Sequence, residues 1–306
     1  MRLALVNDFR PALVVGDRVY PIPGAPGTRD PYRAQERMAR LIAEFPRRRS
    51  QLEAHLRRVQ ANPERAIPLE KARLRAPLPR PSKIICAAVN YLENGQRPPA
   101  EQDCFLKAPT SVIGPGETVV LPNAQATIFH HEAELGVVIG KRAFHVPPER
   151  AMDYVFGYTC FMDISARGLN PNGRNSFFLG KSWDTFGPMG PWIVTADEVP
   201  DPHNLQVRLW VDDQPRHDYN TSDMAHKIPA LIAFASWVCT LEPGDIIACG
   251  TNHQGIGPVQ DGETVTMEIE RIGRFSVQVK DPLKRSWPKA IDAEFARRVV
   301  AEAVRR

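Results

Sequence analysis

Short apolar runs closed by Gly, Pro or Asp impose the tightest limit on how this 306-residue chain can fold. Residues 84–89, 133–140, 155–162, 192–195, 207–211, 245–249, 264–269 and 275–279 form such runs. Each is shorter than an ordinary helix and is bounded by residues that end regular structure, so each predicts a strand. The larger part of the chain therefore reads as mainly β. Two segments depart from the pattern. Residues 228–238 predict a buried helix, and Ile291, Phe295, Val299 and Val300 mark the apolar stripe of a C-terminal helix.

The first 80 residues read differently. Residues 1–22 alternate apolar and polar around Gly16-Asp17, the signal of a hairpin with a two-residue turn. Met38, Leu41, Ile42 and Phe45 then fall at helical spacing, continued by Leu52, Leu56 and Val59, with Pro46 between the two groups. That predicts a helical pair or one kinked helix. Pro68, Pro77, Pro79 and Pro81 punctuate an extended connector. The expected division is a small α+β domain over residues 1–80 and a larger domain over 81–306. A polar loop at 90–103 follows the first strand of the larger part and is long enough for a lid.

Composition excludes several classes of function. The formal charge is only +4, and the patches Arg47-Arg48-Arg49 and Arg305-Arg306 lack interleaved aromatic residues that stack on bases, so nucleic acid is not an expected partner. No apolar run approaches the ~20 residues needed to cross a bilayer. The N-terminus carries no secretory pattern, which makes the cytoplasm the expected location. Five cysteines without a Cys-x-x-Cys spacing read as reduced, mostly buried apolar side chains.

Chemistry concentrates around His131-Glu132-Ala133-Glu134-Leu135. In a strand, side chains at i and i+2 share a face, so Glu132 and Glu134 point the same way. The apolar run behind them implies partial burial, and a bound cation or a raised pKa must then relieve their repulsion. Glu-x-Glu by itself more often lies on a solvated strand face. Asp163 shifts that balance, since it puts a third carboxylate at the rim of the run 155–162. Oxygen donors with no Cys or His pair at zinc spacing favour a hard cation, Mg²⁺, Mn²⁺ or Ca²⁺.

Several strings, in order, resemble the fumarylacetoacetate hydrolase family. They are His131-Glu132-Ala133-Glu134-Leu135-Gly136-Val137-Val138-Ile139-Gly140-Lys141, Asp163-Ile164-Ser165-Ala166-Arg167, Lys181-Ser182-Trp183-Asp184-Thr185-Phe186-Gly187-Pro188, Glu242-Pro243-Gly244-Asp245 and Gly250-Thr251. The resemblance covers roughly residues 82–281. It implies an α+β, mainly β fold, a mixed β-roll or sandwich of the family's C-terminal-domain type with flanking helices. It also implies Glu132, Glu134 and Asp163 as ligands of Mg²⁺ or Mn²⁺, Arg167 and Thr251 as holders of a substrate carboxylate, Lys181 beside the reacting carbon, and a homodimer. A 2-oxo acid chelates such a cation through a carboxylate oxygen and its keto oxygen, which favours enolate formation at C3.

One departure bears on the reaction. Hydrolytic members carry Asn-Tyr-x-x-His-x-x-Glu after the first core strand, where this chain reads Asn90-Tyr91-Leu92-Glu93-Asn94-Gly95-Gln96-Arg97. The water-activating His and its Glu are replaced by Asn94 and Arg97. Two side chains are candidate substitutes: Glu93, one position earlier in the loop, and His253, in the segment Gly250-Thr251-Asn252-His253-Gln254-Gly255. His130 and His131 read as packing neighbours of the ligands. The expected activity is metal-dependent hydrolysis of a C–C bond in an acylpyruvate-like or fumarylacetoacetate-like 2-oxo acid. The alternatives are isomerisation, hydration or decarboxylation through the same enolate, or a homologue that binds metal and ligand without turnover. The pattern does not name the substrate.

Overall fold

The computed structural model describes residues 1–61, 64, 66–169 and 176–304; Arg305 and Arg306 lie outside them. Strands β1 (Arg2–Val6), β2 (Arg10–Val15) and β3 (Arg18–Pro21) open the chain. The turn between β2 and β3 falls at Gly16-Asp17, where Gly16 has φ +54°. Helix α1 (Pro31–Gln60) is a single helix that runs through Pro46, not a helical pair. Asp30 caps it by accepting from the Tyr32 backbone N–H at 2.9 Å.

The connector supplies β4 (Ile67–Pro68) and β5 (Leu74–Arg75). There follow β6 (Ile84–Ala87), β7 (Cys104–Lys107), β8 (Val112–Ile113), β9 (Thr118–Val120), β10 (Ile128–His130), β11 (Ala133–Ile139), β12 (Val155–Met162) and β13 (Ser165–Arg167). Helix α2 (Phe177–Lys181) leads into β14 (Gly187–Thr195), β15 (Gln206–Val211), β16 (Gln214–Asn220) and helix α3 (Ile228–Val238). The chain closes with β17 (Ile246–Ala248), β18 (Thr264–Ile269), β19 (Gly273–Lys280) and helix α4 (Ala293–Val304).

Among the described residues the strands form a large mixed sheet in the order β4-β3-β2-β1-β14-β12-β11-β17-β6-β7, a five-stranded sheet β16-β15-β18-β19-β9, and the small pair β10-β13. The period-2 alternation of strand side chains sorts the large sheet's apolar residues into two cores. Ile85, Ala87, Leu135, Val137 and Ile139 join Val207, Leu209, Val265 and Met267 of the five-stranded sheet. Ile84, Cys86, Val138 and Ile246 join Met38, Leu41, Ile42 and Phe45 of α1. The large sheet is thus covered on both faces, which is why its central strands read as continuous apolar runs. Backbone hydrogen bonding crosses residue 80, since β1 pairs antiparallel with β14 at Arg2–Val194 and Leu3–Ile193. No helix among the described residues is long and apolar enough to cross a membrane.

Candidate metal and catalytic site

Register between β11 and β12 builds the cluster. Ala133 lies opposite Met162, so the next rung outward sets Glu132 against Asp163, and the Asp163 N–H donates to the Glu132 carbonyl at 2.9 Å. Directly opposed like charges destabilise an antiparallel pair unless a positive charge joins them. Glu134, two residues on, projects from the same face. Gly250, just beyond β17, donates its N–H to Glu134 Oε2 at 2.7 Å. Its φ of +83° is a left-handed conformation that glycine adopts without strain. The ligand oxygens of the three buried carboxylates lie within 4.8 Å of one another.

Cations meet this cluster from three elements. At the end of α2, Lys181 Nζ donates to Glu132 Oε2 and Asp163 Oδ2, each at 2.6 Å. Arg167, ending β13, is hydrogen-bonded to Glu132. Ser165 Oγ donates to Glu132 Oε1 at 3.1 Å. Lys107, ending β7, is buried and donates to Asp163 Oδ1 at 2.7 Å and to the Lys181 carbonyl. The sequence reading missed Lys107 and Ser165. Lys107 had a signal: a lone charge ending the otherwise apolar run Cys104-Phe105-Leu106, a pattern that buries lysine only where an anion waits.

These contacts divide the carboxylates. Burial pushes the Glu132 carboxyl up, but Lys181 and Arg167 outweigh it and hold the group well below the usual range. Burial, then Asp163 and Glu132, push Glu134 well above it. Burial opposes a charged Lys181, yet Asp163 and Glu132 raise its pKa and keep it an ammonium. Among the described residues no side chain donates to Glu134, whose one partner is the Gly250 N–H. A hard divalent cation with oxygens at roughly 2.0–2.6 Å suits this set, because it would relieve Glu134 and bind Glu132 and Asp163 with one charge.

Glu93 and His253 meet although 160 residues apart: His253 Nδ1 lies 2.7 Å from Glu93 Oε1. The His253 backbone N–H donates to Glu93 Oε2 at 2.8 Å. Glu93 is fully buried rather than exposed on an open lid. The loop around it is anchored by Asn90, whose Nδ2 donates to the His226 and Cys249 carbonyls at 3.0 and 2.9 Å. Asn94, at the position of the usual base, donates instead to Gln254 Oε1 at 2.6 Å. Thr251 is buried between Gly250 and the His253 turn. The predicted site residues therefore fall into one cluster (Glu132, Glu134, Asp163, Lys181, Arg167) and one pair (Glu93, His253), with Thr251 on the segment between. His253 is close enough to lower the Glu132 pKa. His130 is buried, with Nε2 3.1 Å from Asp292 Oδ2, and burial followed by Arg167 holds its pKa down to about 3.

The family profile described as fumarylacetoacetate (FAA) hydrolase C-terminal matches residues 83–280. A maleylpyruvate hydrolase of Aquipseudomonas alcaligenes is 39% identical over 228 residues, 69% of this chain and 77% of the relative. The mitochondrial oxaloacetate tautomerase fahd2 of Xenopus laevis is 41% identical, over 66% of this chain and 67% of the relative. Among solved structures, maleylpyruvate hydrolase from Sphingobium sp. SYK-6, in complex with manganese(II) ion and pyruvate, superposes with a TM-score of 0.81 at 41% identity, covering 92% of this chain and 99% of that one. A 5-carboxymethyl-2-hydroxymuconate delta-isomerase from Mycobacterium smegmatis gives a TM-score of 0.72 at 32% identity, covering 92% and 99%.

Proposed function

The chain belongs to the fumarylacetoacetate hydrolase family, and from that premise we propose that it is a divalent-metal-dependent hydrolase that cleaves a C–C bond in a small acylpyruvate- or fumarylacetoacetate-like 2-oxo acid. The observation that carries hydrolysis is the Glu93–His253 pair. It restores, from two distant segments, the base and orienting carboxylate that Asn94 and Arg97 cannot supply.

Glu132, Glu134 and Asp163 would hold Mg²⁺ or Mn²⁺, in keeping with the manganese in the Sphingobium relative. The cation, when bound, supplies Lewis-acid polarisation of the 2-oxo group. Glu93 accepts from His253 Nδ1–H and so leaves Nε2 free to take a proton from water. The hydroxyl adds to the acyl carbon, the C–C bond breaks, and its electron pair goes to C3 of the 2-oxo acid. His253 returns the proton there. Lys181, held charged by two carboxylates, acts as an electrostatic partner for the developing oxyanion rather than as a base. Arg167 and Thr251 bind the substrate carboxylate. In this reading residues 81–306 carry the chemistry and 1–80 extend the large sheet and cover one of its faces, and the enzyme works in the cytoplasm as a homodimer.

A second reading, isomerisation, hydration or decarboxylation, is favoured by Asn94 and Arg97 and by the tautomerase and isomerase among the relatives. Incubation with Mn²⁺ and a panel of acylpyruvates and oxaloacetate, followed by product NMR, separates the two. Two carboxylate fragments are expected, with their formation slowed about 10² to 10⁴-fold in His253→Asn and Glu93→Gln. An isomer or CO₂ as sole product rejects hydrolysis.

A further inference from the structure

Helix α4 lies beyond the segment 83–280 that the family profile matches, yet its first turn reaches the site. Asp292 caps the helix by accepting from the Phe295 N–H at 2.9 Å through Oδ1. Its own N–H donates to the Ile256 carbonyl at 2.8 Å, tying the helix start to the segment that follows the His253 turn. Through Oδ2 it lies 3.1 Å from His130 Nε2. The other ring nitrogen of His130 accepts from Arg167 Nε at 3.4 Å. Above this relay sits Phe295, with its ring centroid 4.7 Å from Arg167 Cζ. The same ring meets His130 edge-on at 4.7 Å and His253 at 6.1 Å.

We propose that Phe295 and Asp292 are positioning residues for substrate binding: together they hold the Arg167 guanidinium in place and wall the His253 side of the site. This rests on the reading of Arg167 as the holder of a substrate carboxylate. An arginine side chain carries several freely rotating bonds, and the Glu132 carboxylate draws its charge toward the metal site. When the carboxylates are engaged by a cation, Arg167 needs another restraint to stay aimed at the substrate. Among the described residues, the aromatic face of Phe295 and the His130 nitrogen, which Asp292 orients, contact it from outside the carboxylate cluster.

The test is calorimetric binding of oxalate to Mn²⁺-loaded protein in Phe295→Ala, Phe295→Leu, Phe295→Trp and Asp292→Ala, with melting temperatures recorded alongside. Phe295→Ala, Phe295→Leu and Asp292→Ala are expected to weaken oxalate binding about threefold to thirtyfold. Phe295→Trp keeps a cation-facing ring and is expected to bind close to wild type. Mn²⁺ affinity without oxalate stays unchanged throughout, and in turnover KM rises while kcat is largely kept. Full oxalate affinity in Phe295→Leu reduces the ring to packing and overturns the proposal, as does unchanged affinity in Phe295→Ala. Wild-type protein that takes up Mn²⁺ but no oxalate overturns the underlying functional reading, and this inference with it.

Discussion

Glu134 is the least compensated charge in the cluster. Glu132 touches Lys181, Arg167 and Ser165, and Asp163 touches Lys181 and Lys107, whereas among the described residues Glu134 has only a backbone N–H. Replacing it with Gln keeps the shape and removes a carboxyl whose charged form burial and its neighbours already oppose, so the fold should lose little without metal. The cation, in contrast, loses a charged ligand. Glu134→Gln is expected to weaken Mn²⁺ binding by more than about tenfold, measured by calorimetry, with the melting temperature of metal-free protein held or raised. Undiminished Mn²⁺ affinity would remove Glu134 from the ligand set. At this scale the carboxylates were legible beforehand because two sit at i and i+2 and the third ends an apolar run. Lys107 was not, because a lysine's burial depends on what lies across the sheet.

Strand β12 decides where Asp163 stands. It is packed between β11 and β14, and at Gly157 the neighbouring backbone comes so close that a Cβ would lie 2.1 Å from the Val194 carbonyl oxygen. Gly157→Ala must push β14 away or break the β12–β14 ladder. A loss of stability of roughly 1–3 kcal/mol is expected, read from the urea midpoint at unchanged slope. An equal midpoint would mean that the sheet yields there. Most elements were legible at this scale: the helix at 228–238 and the strands at 207–211 and 264–269 lie within a residue of their observed bounds. The segment 90–103 is the loop its polar composition indicated, with Asn94, Gly95, Gln96, Pro98 and Pro99 exposed. What the sequence did not show is that Asn90 and Glu93 turn inward to partners on segments more than a hundred residues away.

Buried histidines give the whole molecule an acid limit. Burial, followed by His253 nearby, holds His217 down to about 4 against an ordinary 6.5. Between those values the unfolded chain binds a proton that the folded chain refuses, so stability is full above pH 6.5 and falls as the pH drops toward 4. The contribution is at most roughly 3 kcal/mol. His217→Phe keeps a ring against His131 and Tyr219 and is expected to flatten part of that decline in urea midpoints between pH 6.5 and 4. Identical slopes in the two proteins would assign the acid limit elsewhere. The sequence by itself determined the strand-rich architecture and the carboxylate cluster, because both follow from period, spacing and short motifs within contiguous segments. Tertiary structure alone decided that Glu93 and His253 form a pair, that Lys107 faces Asp163, and that α4 reaches Arg167. Those contacts join segments with no shared local pattern, and only the stacking of the sheets sets their distance.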